Sequence, residues 1–352
     1  MPALRLNIIV STFGQSEGVT VQLRRGAASP CRAPSVICGG RILILKGRKE
    51  MSVRKSSAAI ISVILAAAVL LGCISTAFAA GDGSISVGIS FYDGGFVIPK
   101  ETVEVKDGIA EEYGYTVSEK DHNGKDVDYI TVFDAVVALH KAYYGDKFTA
   151  ETCKNYLNNS DTMITKMFGK SATSSGFTVN DVMPTDGIYN EKYHSYTGYA
   201  ADTARIVNGD KVALFTYKDS YWGDYYTQFD SSEKTVTVGE KINFTVTGYS
   251  IMWYGFADKA TIEQNTLPMS CLDLNMIQYV DGKPVDKKVG TLNWRGMASY
   301  TVNEPGVYYF YASGSYIDEE EEEETPVIGN ICTVTVKDLP ADYSKVDAAI
   351  AA

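Results

Sequence analysis

Glu304-Pro305-Gly306-Val307-Tyr308-Tyr309-Phe310 is the stretch that decides the second half of this chain. An acid, a glycine and a tyrosine at two-residue spacing lead into an alternating apolar run, the pattern of a tight turn that feeds a strand. Outward from it, strand-like segments recur at 235–238, 242–247, 271–280, 298–302, 306–312 and 331–337, with Gly, Pro, Asn and Asp between them. Short strands punctuated in this way predict an all-β, two-sheet sandwich over 232–338.

The same seven residues resemble the tyrosine corner of immunoglobulin-like domains, in which a tyrosine hydroxyl ties the corner back to nearby backbone. The resemblance puts Phe310 where an antibody domain carries its second cysteine. The sandwich is therefore expected to close its core with apolar residues instead of an inter-sheet disulfide. Only Cys153, Cys271 and Cys332 follow residue 80, too few and too scattered for a disulfide framework. A pair between Cys271 and Cys332 stays open, although neither stands at that position.

Before 230 the period changes. Residues 84–105 alternate around Asp93-Gly94-Gly95, as a hairpin does. In Thr131-Val-Phe-Asp-Ala-Val-Val-Ala-Leu-His-Lys-Ala-Tyr-Tyr144 the apolar positions fall on one helical face; Thr131 is a natural N-cap and Gly145 a stop. A shorter helix is expected at 150–157 after Thr149, and strands near 176–180 and 210–217. Together these predict an α+β domain over 81–230. Ile130–Gly145, Gly176-Phe-Thr-Val-Asn180 and Gly209-Asp-Lys-Val-Ala-Leu-Phe215 resemble a bacterial extracellular family, domain of unknown function 4430, related to the C-terminal domain of transcobalamin. The resemblance implies a β-grasp-like sheet packed on a helix, beside immunoglobulin-like modules in surface proteins of anaerobic Firmicutes, and it brings no activity. The family's V-N-G turn reads Val179-Asn180-Asp181 here, a departure that Asp tolerates in a left-handed position. The segment 341–352 turns to helix formers and resembles the opening turns of the three-helix FIVAR modules of Gram-positive surface proteins.

Met51-Ser-Val-Arg54-Lys55, an apolar stretch over 58–71 and Ala77-Phe78-Ala79-Ala80 read as a signal peptide, cleaved at Ala79 and Ala80. Leu70-Leu71-Gly72-Cys73 also matches a lipobox, which would lipidate Cys73. A secretion signal works at an N-terminus, so residues 1–50 are expected to be a disordered leader translated from an upstream in-frame start. The first fifty residues hold eight Lys/Arg against two acids, and 51–80 add two bases and no acid. Since the whole chain carries −11, the remainder carries −19. That charge argues against nucleic acid or an anionic membrane as partner. Membrane contact is expected only through the signal peptide or a lipid anchor, and the product is expected to be secreted or wall-associated.

The three histidines, His122, His140 and His194, do not form a catalytic constellation, and no G-x-S-x-G, H-E-x-x-H or phosphate loop is present. His140 falls within the amphipathic helix and reads as packed. Asp121-His-Asn123-Gly124-Lys-Asp126-Val-Asp128 alternates oxygen ligands but has Lys at position five and no Glu at position twelve, so a hairpin turn fits better than a calcium loop. The seven acids of 318–324 read as a solvated loop. No cofactor or metal is called for. The stretch 217–229, with Tyr193 and Tyr196 upstream, interleaves aromatics with Asp, Gly and Ser, as a contact surface does. Tyr193, Tyr196, Tyr221, Trp222 and Tyr225 are the candidate ligand contacts, with Trp222 the best exposed one. The expectation is a non-catalytic extracellular binding or adhesion module for a glycan or protein ligand. A corrinoid-type small-molecule binder is the alternative, and a carbohydrate-active enzyme fragment stands behind it.

Overall fold

The computed structural model describes residues 83–160, 163–191, 195–219, 221–318 and 323–338. The expected leader, signal segment and helical tail, with Cys73, Ala79 and Ala80, lie outside them, as do Tyr193 and His194.

The first lobe opens with the expected hairpin. β1 (Ile85–Tyr92) and β2 (Phe96–Val105) pair antiparallel around a turn closed by a 2.8 Å bond from Asp93 N to Gly95 O. A single helical turn, α1 (Ile109–Glu112), precedes the longest helix, α2 (Val132–Tyr144). Thr131 caps α2 as its sequence required: its hydroxyl accepts from Asp134 N while the Asp134 carboxylate accepts from Thr131 N at 2.9 Å. Val132, Phe133, Val136, Val137 and Leu139 are buried against the hairpin.

After α2 come β3 (Asn158–Ser160), β4 (Met163–Met167) and β5 (Lys170–Ser171), a small meander. β6 (Ser175–Val179) follows, then the hairpin of β7 (Thr185–Asn190) and β8 (Ser195–Gly198), then β9 (Lys211–Thr216). The main sheet runs β2-β1-β9-β6, with β1 and β9 parallel and the other pairs antiparallel.

Strand makes up 49% of the described chain and helix 14%, distributed over several small sheets. The protein is mostly β, which corrects the α+β, β-grasp-like class expected for 81–230. The Thr-, Ser-, Asn- and Tyr-rich sequence between α2 and β9 forms strands and turns, as its β-branched and aromatic content favours. The helix expected at 150–157 is only a 3-10 turn at Cys153–Asn155. A segment that short cannot sustain a helix without an apolar face to bury.

The second part is a two-sheet β-sandwich. Its elements are β10 (Tyr225–Phe229), β11 (Glu233–Thr237), β12 (Lys241–Ser250), α3 (Ile251–Tyr254), α4 (Lys259–Gln264), β13 (Leu267–Pro268), β14 (Asp273–Val280), β15 (Lys283–Thr291), β16 (Met297–Thr301), β17 (Gly306–Ser313), β18 (Ser315–Asp318), β19 (Glu323–Ile328) and β20 (Cys332–Lys337). One sheet runs β13-β12-β10-β19-β18, with β16 also on β12; the other runs β11-β20-β17-β14-β15. Phe244, Val246, Leu272, Leu274, Phe310 and Val334 fill the space between them.

The corner at 304–310 behaves as its resemblance to a tyrosine corner implied. The Tyr308 hydroxyl donates to Glu304 O at 3.0 Å at the entry to β17. Phe310 is fully buried and its ring lies 4.7 Å from that of Phe244 on the facing sheet, an aromatic pair that ties the two sheets without a disulfide. Cys332, in register with Phe310, is a free buried thiol pushed up to about 12 by burial, so it forms no bond with Cys271.

Lobe and sandwich share a third core, made of Tyr92, Phe215, Tyr226, Tyr249, Ile277, Tyr311 and neighbouring isoleucines. Asp181 sits over it with φ +67, in the V-N-D turn after β6. Its carboxylate accepts from the Tyr226 hydroxyl at 3.0 Å and from Asn330 Nδ2 at 2.7 Å, and its carbonyl accepts from the Tyr249 hydroxyl at 3.3 Å. A polar residue of the lobe thereby satisfies buried hydroxyls of the sandwich, so the junction is hydrogen-bonded as well as packed.

Candidate ligand-contact surface

The segment that carries the chain from β9 into β10 is built on two aspartates. Asp224 is fully buried, and its carboxylate accepts from Lys218 N and Asp219 N at 2.8 Å each. Burial pushes its pKa up, and those two N–H donors act in the opposite sense. Asp219 in turn accepts from Tyr221 N at 3.0 Å and Gly223 N at 2.9 Å through its carboxylate, while its carbonyl accepts from Trp222 N at 3.2 Å. Gly223 is required here, since a Cβ on it would come within 2.4 Å of the Asp219 carboxylate.

This bonding holds Trp222 at φ +61. A left-handed backbone disfavours a bulky side chain by about 1–2 kcal/mol. The strain is maintained to turn the side chains outward: Tyr221 is 78% exposed and Trp222 55%.

A second aromatic element leaves the same end of the sheet. The β10–β12 ladder ends at Tyr225↔Ser250, and Ile251 N donates to Asp224 O at 3.2 Å. Tyr221 and Trp222 precede that end on one strand; Met252 and Trp253 follow it on the other. Trp253 is 72% exposed. The chain has three tryptophans, and the third, Trp294, is also exposed but carries the Arg295 guanidinium 4.3 Å above its ring. No cation of the described residues covers Trp222 or Trp253.

The structure therefore brings Tyr221 and Trp222 together and places Tyr196 and Tyr225, the other described candidates, elsewhere. Tyr225 turns inward: it packs against the sandwich core with its ring 4.9 Å from Tyr316. Its neighbour Tyr226 is fully buried in the shared core. Tyr196 lies on the β7–β8 hairpin, ring to ring with Tyr189 at 5.4 Å. Trp253 was missed because Ile251-Met-Trp-Tyr254 extends β12 as an unbroken apolar run, which gives no sign that the chain turns into a helix there.

The polar candidates have structural tasks. His140 is fully buried, its Nδ1 bonded to Val136 O at 2.8 Å while Nε2 accepts from Phe168 N at 3.0 Å, and burial lowers its pKa to about 4. His122 pairs with Asp186 at 2.7 Å, which brings that carboxyl down to about 2. Asp121 accepts from Asn123 N and Lys125 N at 2.8 and 2.9 Å, closing a turn at Gly124. Among the described residues no three His, Cys, Asp or Glu are grouped to hold a metal ion.

Two hollows among the described residues bear on the size of a ligand. A cleft at the junction, lined by Lys100, Asp181, Lys211 and Asn330, encloses about 60 Å³. That is room for water and far below the ~300–1,000 Å³ of small-molecule pockets. A depression of about 580 Å³ beside the C-terminal end of α2 is open to solvent and lined by Glu112, Lys141, Asp146 and their neighbours.

No family model and no curated protein matches the chain. Among solved structures, the CARDB domain of a Pyrococcus furiosus protein, in complex with di-metal ions, is similar at 12% identity over 33% of this chain and 93% of that one, with a TM-score of 0.14. The likeness is too slight to carry a fold or a function.

Proposed function

We propose that this chain is a non-catalytic binding module of a secreted or cell-surface protein, with an immunoglobulin-like sandwich supporting an aromatic contact surface at its junction with the first lobe. The carrying observation is Trp222: a bulky residue held in a left-handed backbone by two aspartates and turned to solvent next to Tyr221, with the exposed Trp253 following the same end of the β10–β12 ladder. Exposed aromatics on a rigid frame provide contact area at little cost in conformational entropy, which suits capture and not turnover.

The signal-like segment 51–80 supports export. The immunoglobulin-like reading of the sandwich is supported by the Tyr308–Glu304 corner and by strand order: β17 lies between β14 and β20, opposite the sheet that holds β12 and β16. The family resemblance of 130–145, 176–180 and 209–215 supports an extracellular setting. The junction cleft itself is too small for a corrinoid-type ligand.

The test is binding of the full chain to arrays of immobilised glycans and extracellular proteins, compared with Trp222→Asn and Trp253→Ala. Both variants are expected to lose the signal while unfolding near the wild-type temperature. Wild-type binding by both variants would refute the proposal.

A further inference from the structure

We infer that Glu101, Tyr279 and Tyr309 form a second contact site, where β2 meets the sandwich, and that its occupant is a single arginine side chain of a partner protein. The site is separate from the Trp222 loop, so it goes beyond the reading above and does not depend on what that loop binds.

Strand register places the tyrosines. In the β14–β17 ladder Ile277 lies opposite Tyr309, and Tyr279 is two residues beyond Ile277, on the same face. That face is the one turned to the lobe. Ile277 and Tyr311 belong to the shared core, and the Tyr311 ring lies 5.1 Å from that of Phe96 at the start of β2. Tyr309 is half-buried beside that core, and Tyr279 is 40% exposed. Their rings are 6.2 Å apart with 79° between their planes, so they make two walls of a corner. β2 leads from Phe96 to Glu101, and the Glu101 charge is felt at both tyrosines. Burial first and that charge second push the Tyr279 hydroxyl up to about 12, and the same two causes raise that of Tyr309. Tyr143, half-exposed at the end of α2, also acts on Tyr279 electrostatically.

The carboxylate in this corner has no base of its own. Among the described residues Glu101 makes no ion pair and no side-chain hydrogen bond, and burial raises its pKa. Three lysines of the same elements are engaged elsewhere. Lys100 reaches Glu233 at 3.2 Å, Lys288 holds Asp273 at 2.5 Å, and Lys141 lies 5.8 Å above the Tyr113 ring. A partly desolvated carboxylate without a counter-ion is stabilised by a cation that reaches it. Tyrosine faces beside it favour a cation that also stacks. Guanidinium does both: its planar fork donates twice to a carboxylate while its face lies on a ring, and a lysine ammonium has neither property. Glu101 and Tyr279 are open to solvent, so the corner suits a side chain presented on a protein surface better than an enclosed small molecule.

The probe is Nα-acetyl-arginine amide, titrated at millimolar concentration into the full chain with isotope-labelled tyrosine rings and followed by nuclear magnetic resonance. The two ring signals are assigned by their loss in Tyr279→Phe and Tyr309→Phe. Saturable shifts are expected at both rings. Nα-acetyl-citrulline amide, in which a neutral urea replaces the guanidinium, is expected to leave them in place, and Nα-acetyl-lysine amide to bind more weakly than the arginine probe. Glu101→Gln, at an exposed strand position, is expected to weaken arginine binding roughly tenfold, and Trp222→Asn to leave it unchanged. An equal response to the citrulline probe, tighter binding of the lysine probe, no response to arginine, or wild-type affinity in Glu101→Gln overturns the inference. Loss of the response in Trp222→Asn also overturns it, because the arginine would then be held at the loop. The loop's own ligand is read from the arrays, so either site can fail without the other.

Discussion

Asp181 offers the sharpest test of how the two parts are joined. It stands at φ +67 between Asn180 at φ +53 and Val182, in a turn where glycine would be the relaxed choice. The side chain that strains the turn receives two donors from the sandwich, Tyr226 and Asn330. A hydrogen bond to a charged acceptor contributes about 1.5–3 kcal/mol. Tyr226 keeps a second neighbour, the Thr178 hydroxyl at 3.1 Å, so its loss is partly made good. Asp181→Ala removes both bonds and keeps the strain, and is expected to cost about 3 kcal/mol. Asp181→Gly removes the same bonds but relieves the left-handed strain by about 1 kcal/mol, for a net loss of about 2. Asp181→Asn retains an acceptor and tolerates the backbone, so about 1 kcal/mol is lost. The assay is guanidinium unfolding of the full chain, followed by tryptophan fluorescence and far-ultraviolet dichroism. The order Asn, Gly, Ala from mildest to worst is the prediction, with the two probes separating in Ala as lobe and sandwich lose their common transition. A glycine variant as stable as the wild type would limit the carboxylate's contribution to the ~1 kcal/mol of strain that glycine relieves, and the two-bond account of the junction would have to be abandoned.

Other expectations follow from single contacts. Tyr308→Phe deletes the bond to Glu304 O and should lower stability by about 1 kcal/mol in urea titration. Phe310→Ala opens a hole opposite Phe244 and should cost about 3–5 kcal/mol; a loss under 1 would deny it a central place in the core. His140 has a folded pKa of about 4, below its unfolded value near ~6.5. The unfolded chain then binds the extra proton between those values, so stability is complete above the upper one and declines as pH falls toward the lower, by about 3 kcal/mol in all. His140→Asn should flatten that part of a stability-against-pH curve, and an unchanged slope would assign the decline to other groups. Trp222→Asn gives up a ring contact with Tyr217 at 6.5 Å but relieves the left-handed backbone, so stability should stay within about 1 kcal/mol of the wild type; a larger loss would mean that the half-exposed indole packs more tightly than this one contact.

Where a segment has one buried face, its sequence was readable. β1, β2, α2, β12, β17 and β20 all alternate or repeat against a core, and each lies within a few residues of its expected place. The elements that escaped notice lack that contrast. β15 reads Lys-Pro-Val-Asp-Lys-Lys-Val-Gly-Thr and is exposed along most of its length, an edge strand held by pairing with β14 and not by burial. β18 and β19 merge into the acidic run, where charge hides the strand signal. The class of the first lobe was misjudged for a related reason. One strongly periodic helix drew attention from a long stretch of weakly patterned Thr, Ser and Tyr, which turned out to be short strands.

The exposed aromatic loop was legible in part because strain and exposure leave different marks. Interleaved Asp and Gly around Tyr221 and Trp222 read only as the setting of exposed aromatics; that Asp219 and Asp224 bond the loop's own backbone is visible in the structure. Tyr225 has the same composition around it, yet it is the first residue of a strand, where the alternating period sends it to the sandwich side and Tyr226 to the shared core. No local rule separates Trp222 from Tyr225; the difference is made by partners far along the chain, Ser250 on one side and Val327 on the other. Those same pairings set the segment after Ser250, with Trp253, at the end of the sheet that the loop enters. A contact surface assembled by register is invisible to spacing, because the residues that complete it are neighbours only after the sheet has formed.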